Sequence, residues 1–228
     1  AYEFQKGYTN DVIVAQLNAT YDFTKDLQLL VRTGLTGNNA TSEVKTPYSY
    51  INYGTSAAPK GNYRVSNASN LLLVSDVLLT YKKTFLRDFS ATVSAGASNR
   101  FSQAKSDFAQ TNGGLTVPLA YNLRSSINPL SVGGSNPDAG NSRVESQVGS
   151  VFGYTDLGYK NMVYLNFSAR NDWTSTLQKP YNSFFYPSVS LSVIGSEIIQ
   201  MPSFISYFKL RGSYANISSD VSAYYTIP

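Results

Sequence analysis

Residues 13–23 read IVAQLNATYDF, and this stretch decides the fold. Apolar or aromatic side chains occupy every second position: Ile13, Ala15, Leu17, Ala19, Tyr21 and Phe23. The residues between them, from Gln16 to Asp22, are polar. Because successive side chains of a strand point to opposite faces, a period of two predicts a β-strand with one apolar face and one polar face.

The same alternation recurs along the chain and predicts eight strands of about ten residues each. They lie near residues 13–23, 27–36, 76–82, 89–98, 149–159, 163–170, 185–193 and 208–214. Short turns at 24–26, 84–88 and 160–161 alternate with long polar segments, which are read as loops, at Gly37–Asn70, at about Phe101–Glu145 and after Arg170. Alternating short and long connections are typical of antiparallel outer-membrane barrels.

Aromatic residues mark the strand ends beside the short turns: Tyr21, Phe23, Tyr81, Phe89 and Tyr159. Such residues form girdles where a membrane protein crosses the boundary between lipid and water. We expect the apolar face to meet lipid and the polar face to line a watery lumen. Pairing between neighbouring strands would satisfy the backbone polar groups, as a bilayer requires.

Composition narrows the possible functions. Only 14% of the 228 residues are charged, mean hydropathy is -0.19, and no apolar run reaches the roughly 20 residues of a membrane helix. The net charge of +4 is not gathered in basic runs, so no nucleic-acid partner is predicted.

Catalysis and metal binding lack the usual residues. The chain has no cysteine and no histidine, which excludes thiol nucleophiles, disulfides, Cys/His zinc sites and Ser-His-Asp triads. Asn136, Asp138 and Asn141 lie in a glycine-rich segment without the spacing of a calcium loop. We predict no enzyme activity, no cofactor and no metal.

Three stretches carry a family resemblance. They are Leu157–Thr176 (LGYKNMVYLNFSARNDWTST), Phe184–Val193 (FFYPSVSLSV) and Phe208–Ala215 (FKLRGSYA). In order and spacing they resemble the SusC/RagA family of TonB-dependent outer-membrane transporters of Bacteroidetes. Ala215 stands where the family usually has glycine, and Gly195 interrupts a stretch where many members carry a tryptophan and a charged residue.

The resemblance implies a bacterial outer-membrane barrel of about 22 strands, of the plugged-transporter kind. It also implies an N-terminal plug that answers to the TonB system, a SusD-like surface lipoprotein as a lid, and oligosaccharides or peptides as cargo. Residues 1–228 are expected to be a partial barrel domain with about eight of those strands, without the plug. Ala1–Gly7 has no signal-peptide pattern.

Candidate binding residues fall into two groups. Loop aromatics able to stack on sugar rings or to contact a lid are Tyr48, Tyr50, Tyr53, Tyr63, Trp173 and Tyr181. Polar residues expected on the lumen side are Arg32, Tyr164, Arg170 and Asp172, which would line the substrate path or touch a plug. The alternatives are ordinary loop packing for the aromatics and a structural ion pair at the strand end for Arg170 and Asp172.

Two other architectures remain open from the sequence. One is a self-contained eight-stranded outer-membrane barrel that serves as an anchor or adhesin. The other is a soluble β-sandwich that binds or processes glycans. The environment of the alternating apolar side chains separates them, because a sandwich buries these side chains between two sheets whereas a membrane barrel presents them to lipid.

Overall fold

The computed structural model describes residues 4–48, 60–85 and 88–217, and over these ranges the chain is almost entirely β-structure. The strands are β1 (Gln5–Thr24), β2 (Leu27–Thr46), β3 (Asn62–Phe85), β4 (Phe89–Gln110), β5 (Asn112–Leu115), β6 (Ser126–Asn128), β7 (Ala139–Tyr159), β8 (Val163–Thr174), β9 (Ser183–Ile194) and β10 (Lys209–Ala215). Two 3-10 turns, Leu123–Ser125 and Gly195–Glu197, accompany them. In the described ranges no helix is both long enough and apolar enough to cross a membrane.

Eight strands form one sheet in the order β1-β2-β3-β4-β7-β8-β9-β10, while β5 and β6 pair separately. The number of strands in the large sheet therefore confirms the prediction. Where the register is defined, β8 runs antiparallel to both β7 and β9. Neighbouring rows across these strands hold like residues: Leu157, Leu165 and Leu191 in one row, and Asp156, Asn166 and Ser190 in the next. The alternation seen in the sequence thus becomes one apolar and one polar face.

The apolar face is exposed. Large apolar side chains that lie open along the sheet include Ile13, Leu17, Val77, Leu79, Val93, Val151, Phe167 and Leu191. Phe167, for example, is 46% exposed. Within the described ranges the one buried hydrophobic residue is Leu115, which is 1% exposed. A β-sandwich would bury this face against a second sheet, so the exposure disfavours the sandwich.

The strands are longer than the sequence predicted. β1 and β2 have 20 residues each, β3 has 24, β4 has 22 and β7 has 21. Much of the predicted loops Gly37–Asn70 and Phe101–Glu145 is therefore strand, which corrects those two assignments. In the parts of these strands that were predicted as loops, polar residues occupy both faces. Backbone pairing therefore continues there although the sequence shows no alternation of apolar and polar residues.

The connection between β9 and β10 agrees in length with the interval between the predicted strands 185–193 and 208–214. It occupies residues 195–208 and begins with the 3-10 turn Gly195–Glu197. The Gly195 and Ser196 amides both lie within hydrogen-bond distance of the Phe208 carbonyl, at 2.8 and 3.3 Å. These bonds close the base of the connection, so the two strands still meet as a hairpin.

The chain divides into two compact units. The first comprises the described parts of Ala1–Val14, Leu35–Leu72 and Ser102–Glu145, and it contains β5 and β6. Its small core is built on Leu115, whose amide donates to the Lys60 carbonyl at 2.8 Å. Gly114 next to it has φ +101°, and a Cβ there would collide with Lys60, so this approach requires glycine.

The second unit comprises Ala15–Gly34, Leu73–Phe101 and the described part of Ser146–Pro228, and it contains the short turns. The predicted aromatic residues lie beside these turns and are exposed. Tyr21 and Phe23 meet edge to face with their ring centroids 4.9 Å apart, and Phe89 and Tyr159 are 4.6 Å apart. The aromatic clustering expected from the sequence is therefore present at this end of the strands.

Candidate functional site

A charged cluster lies on the polar face of the second unit and is centred on Asp76 of β3. Arg32 of β2 donates to Asp76 Oδ2 from Nε at 2.9 Å and from Nη2 at 2.6 Å. Ser98 of β4 donates to Asp76 Oδ1 at 2.5 Å. The Asp76 side chain is 15% exposed, whereas that of Arg32 is 50% exposed. Asp76 therefore ties three neighbouring strands together while part of the guanidinium stays open.

A second charged group on the same face surrounds Arg170 of β8. Arg170 Nε donates to Asp172 Oδ1 at 2.6 Å, and its Nη2 donates to Ser150 Oγ at 2.8 Å. Its guanidinium carbon lies 5.6 Å from the centre of the Phe152 ring. The ion pair that the sequence offered as the structural alternative is thus formed. Its members are two residues apart in a strand and so share a face.

Phe152 is held by a close approach of the backbone. A Cβ on Gly96 would lie 2.8 Å from Phe152 Cζ and 2.6 Å from the Val77 carbonyl oxygen. Because such distances are too short for real carbon atoms, only glycine lets the ring pack there. The ring in turn supports one side of the Arg170 guanidinium, which fixes the direction of this cation.

The remaining polar face is largely paired within itself. Side-chain hydrogen bonds between neighbouring strands join Asp22 with Gln28, Thr80 with Ser94, Asp156 with Asn166, Asn166 with Ser190, and Ser168 with Ser188. This arrangement can offer hydrogen bonds and charge to a polar solute. In the part of the chain that the structure describes, no three carboxylates or other ligating side chains gather to hold a metal.

Asp138, considered above as a calcium ligand, is used by the fold. It is buried, and its Oδ2 accepts from Asn112 Nδ2 at 2.6 Å and from the Ser131 amide at 2.9 Å. Both contacts close the segment between β6 and β7. The carboxylate therefore holds this segment against β5.

Tyr63, one of the predicted binding aromatics, has a hydrogen-bonded phenol in the first unit. Its hydroxyl donates to Glu43 Oε1 at 2.9 Å, and Lys45 Nζ lies 3.2 Å from Glu43 Oε2. The pKa of Glu43 is lowered, first by the hydrogen bond from Tyr63 and second by Lys45. The pKa of Tyr63 is raised, first by burial and second by its hydrogen bond to Glu43. The hydroxyl of Tyr63 is thus occupied by a hydrogen bond within the fold, while part of its ring stays accessible.

The other aromatic candidates are more open. Tyr48 follows β2, and Tyr181 lies between β8 and β9 with 78% of its surface exposed. Trp173 is 44% exposed, but it shares the face of Phe167 and lies opposite to Arg170 and Asp172 along β8. Tyr50 and Tyr53 fall outside the described residues. Of the candidates that the structure describes, Tyr48 and Tyr63 belong to the first unit, and Arg170, Asp172, Trp173 and Tyr181 belong to the second.

Sequence reasoning did not select Asp76, Ser98, Ser150 or Phe152. A charged residue within an alternating strand, such as Asp76 among Val77 and Leu79, was an available signal. Its partner Arg32 lies 44 positions away, so their contact depends on a register that the sequence alone does not define.

No protein-family model matches the chain. Among curated proteins it is similar to TonB-dependent receptor P3 of Formosa agariphila, with 24% identity over 220 residues that cover 95% of this chain and 21% of the receptor. Among solved structures it is similar to the RagAB peptide transporter, with a TM-score of 0.76, 20% identity, and 92% of this chain and 23% of that chain covered. The RagAB peptide importer in its closed-closed state gives a TM-score of 0.79 at 19% identity, covering 96% of this chain and 24% of that one.

The chain thus spans about a fifth to a quarter of the length of the proteins it matches. The structural likeness shows a shared fold, an antiparallel all-β sheet. The named relatives are receptors and transporters, not enzymes, in agreement with the prediction. Together these matches confirm the resemblance to part of a SusC/RagA-like TonB-dependent transporter.

Proposed function

We propose that residues 1–228 form part of the wall of an outer-membrane β-barrel in a SusC-like TonB-dependent transporter. The observation that carries this proposal is the contrast between the two faces of the sheet. One face exposes residues such as Val93, Phe167 and Leu191, while the other pairs its polar side chains across strands. Lipid on one side and water on the other satisfy both faces, as in a membrane barrel.

Strand length divides the sheet between membrane and solvent. At about 3.3 Å per residue, the 20 residues of β1 extend roughly 65 Å, or about 50 Å along the membrane normal at a tilt near 40°. An apolar barrel band is only about 25 Å tall. We therefore propose that the segments of the second unit cross the bilayer. Those of the first unit would lie in water.

The complete transporter requires more than these eight strands. We propose a closed barrel of about 22 strands, a plug domain through which the TonB system acts, and a SusD-like lipoprotein as a lid. The similarity to RagAB, which is named as a peptide transporter, supports this arrangement. Its name favours peptides as the class of cargo to test first, with oligosaccharides second.

The candidate residues take different roles in this proposal. Tyr48, Tyr50 and Tyr53 would contact cargo or the lid, and so would Tyr181 in the connection between β8 and β9. Tyr63 would serve the fold through its bond to Glu43. Arg170 and Asp172 would face the lumen. Trp173, on the apolar face at the far end of β8, suits the outer lipid boundary, where tryptophan is enriched.

A pair of cysteine variants tests the membrane orientation in the full-length protein reconstituted in lipid vesicles. Because this chain has no cysteine, Phe167→Cys and Ser168→Cys each add one defined label within it, on opposite faces of β8. We expect a fluorophore at position 167 to be quenched by nitroxide-labelled lipids and one at 168 by a water-soluble quencher. Equal quenching of both positions by water-soluble reagent would contradict the barrel.

Uptake measurements test the transport proposal separately. A strain that lacks the full-length protein should lose uptake of labelled peptides or of labelled oligosaccharides, and should regain it with the wild-type gene. A SusD-like lipoprotein should co-purify in equal amount. If uptake of both cargo classes is unchanged, a barrel that correctly spans the membrane would have some other role.

A further inference from the structure

Two shallow apolar grooves lie on the exposed face of the second unit. The lower groove, of about 440 Å³, is next to the short turns and is lined by Phe85, Phe89, Ala91, Leu157, Tyr159, Val163 and Leu165, among others. The upper groove, of about 630 Å³, includes Val93, Ala95, Gly153, Phe167, Ala169 and Tyr214. They occupy successive rows of the same strands, since Leu157 pairs with Leu165 and Thr155 with Phe167.

The grooves arise from small residues set between large ones. Ala91 of β4 lines the lower groove, and Ala95 of β4, Gly153 of β7 and Ala169 of β8 line the upper groove, with Val93 between the two alanines of β4. Phe89 and Tyr159, whose rings are in contact, border the lower end. The two grooves follow one another along these strands, and together they are called the trough.

The length of the trough fits one lipid leaflet. From Phe89 to Ala95 the strand advances about 20 Å, which gives about 15 Å along the membrane normal at a tilt near 40°. The hydrocarbon core of a bilayer is about 30 Å thick, so one leaflet contributes about 15 Å. An acyl chain that enters at the short-turn end would therefore follow the trough to the middle of the bilayer.

Cations stand at the lower end. Lys160 Nζ lies 5.4 Å from the centre of the Tyr159 ring, and Lys83 Nζ lies 5.9 Å from that of Phe85. Both rings line the lower groove. Asp88, 3.9 Å from Lys160, offsets one of the two positive charges. Two cations with one acid at the membrane boundary leave a net positive charge, which is suited to a phosphate group.

We propose that this trough binds one anionic phospholipid, with an acyl chain along the small residues and the phosphate between Lys83 and Lys160. This inference rests on the proposed barrel, because it requires the apolar face to meet lipid. The site lies on the outside of the wall, away from the polar face that would carry cargo. It gives the protein a lipid preference that is independent of transport substrate.

The test uses the full-length protein in nanodiscs of equal parts phosphatidylcholine and phosphatidylglycerol, with retained lipids counted by native mass spectrometry. Ala91→Phe fills the lower groove, and Ala19→Phe makes the same change on the apolar face of β1, away from the trough. We expect Ala91→Phe to retain one phosphatidylglycerol fewer than the wild type. Ala19→Phe should retain the wild-type number.

Charge variants provide the second measurement. Lys83→Gln and Lys160→Gln should each reduce the ratio of bound phosphatidylglycerol to phosphatidylcholine about fivefold. Lys25→Gln, in the first short turn, should leave the ratio unchanged.

Equal lipid retention in the Ala91→Phe and Ala19→Phe proteins would overturn the lipid site while leaving the barrel intact. So would a dimer that covers the trough in place of lipid. A protein that does not insert into the bilayer at all would overturn both the barrel and this site.

Discussion

Replacing Asp76 by asparagine should weaken the eight-stranded sheet measurably. The carboxylate accepts two hydrogen bonds from Arg32 and one from Ser98, and its side chain is only 15% exposed. An amide keeps one acceptor oxygen and no charge, so at least one donor loses its partner. Hydrogen bonds to charged groups contribute roughly 1.5–3 kcal/mol each. Half of the Arg32 side chain is exposed, so water can solvate the guanidinium when the carboxylate is removed. We therefore expect a loss of about 2 kcal/mol in the free energy of unfolding.

Urea unfolding of the full-length protein in lipid vesicles, followed by tryptophan fluorescence, measures this loss as a lower midpoint at constant slope. Asp22→Asn is the matched control, since Asp22 lies exposed on the same face and accepts one bond from Gln28. It should cost less than about 0.5 kcal/mol. The cost of the double variant Asp76→Asn with Ser98→Ala should differ from the sum of the two single costs by at least about 0.5 kcal/mol. Equal costs for the two asparagine variants, together with strict additivity, would refute the reasoning.

Three further predictions follow from close contacts. Gly96→Ala should cost about 1–3 kcal/mol in the same unfolding measurement because its Cβ meets a carbonyl oxygen, whereas Gly212→Ala, with open space around it, should cost less than about 0.5 kcal/mol. Tyr63→Phe should raise the pKa of Glu43 toward its ordinary value. In the wild type, the lowered pKa of Glu43 means that the contact stabilises the fold at pH values above the ordinary carboxyl pKa, and that this stabilisation is lost as the pH falls through the folded-state pKa. A ¹³C titration of the Glu43 carboxyl, assigned with a Glu43→Gln sample, would show the change in pKa. An unchanged pKa in Tyr63→Phe would count against the contact. Gly114→Ala should destabilise the first unit by about 1–3 kcal/mol, seen as faster hydrogen exchange around residues 112–115, and unchanged exchange would show that the left-handed backbone there is not required.

The alternation could be predicted from the sequence because a sheet with one apolar and one polar face constrains every second residue. Where that constraint applies, as in Val163–Thr174, the strand, its apolar face and the aromatic residues at its turn were all recognisable. Trp173 was predicted to lie in a loop after Arg170, whereas β8 continues to Thr174, so only the structure shows that Trp173 and Asp172 lie on opposite faces of a strand.

The outer halves of the strands could not be predicted in the same way. In Asn62–Phe85, for instance, the first residues are polar on both faces, so nothing in their hydropathy distinguishes a strand from a loop. Contacts such as that between Arg32 and Asp76 depend on the register between strands, and a slip of two residues would keep the faces and change every partner.

The abundance of serine on the polar face affects how a solute would move past it. Ser168, Ser188 and Ser190 are short, and each shares a hydrogen bond with a neighbour on another strand. Where these hydroxyls already bond to a neighbouring strand, they have fewer hydrogen bonds left to offer a polar solute than the charged groups around Arg32 and Arg170. In the proposed transporter, passage requires that binding be weak enough to release, so this serine-rich part of the wall would let cargo pass, and selectivity would depend on other residues.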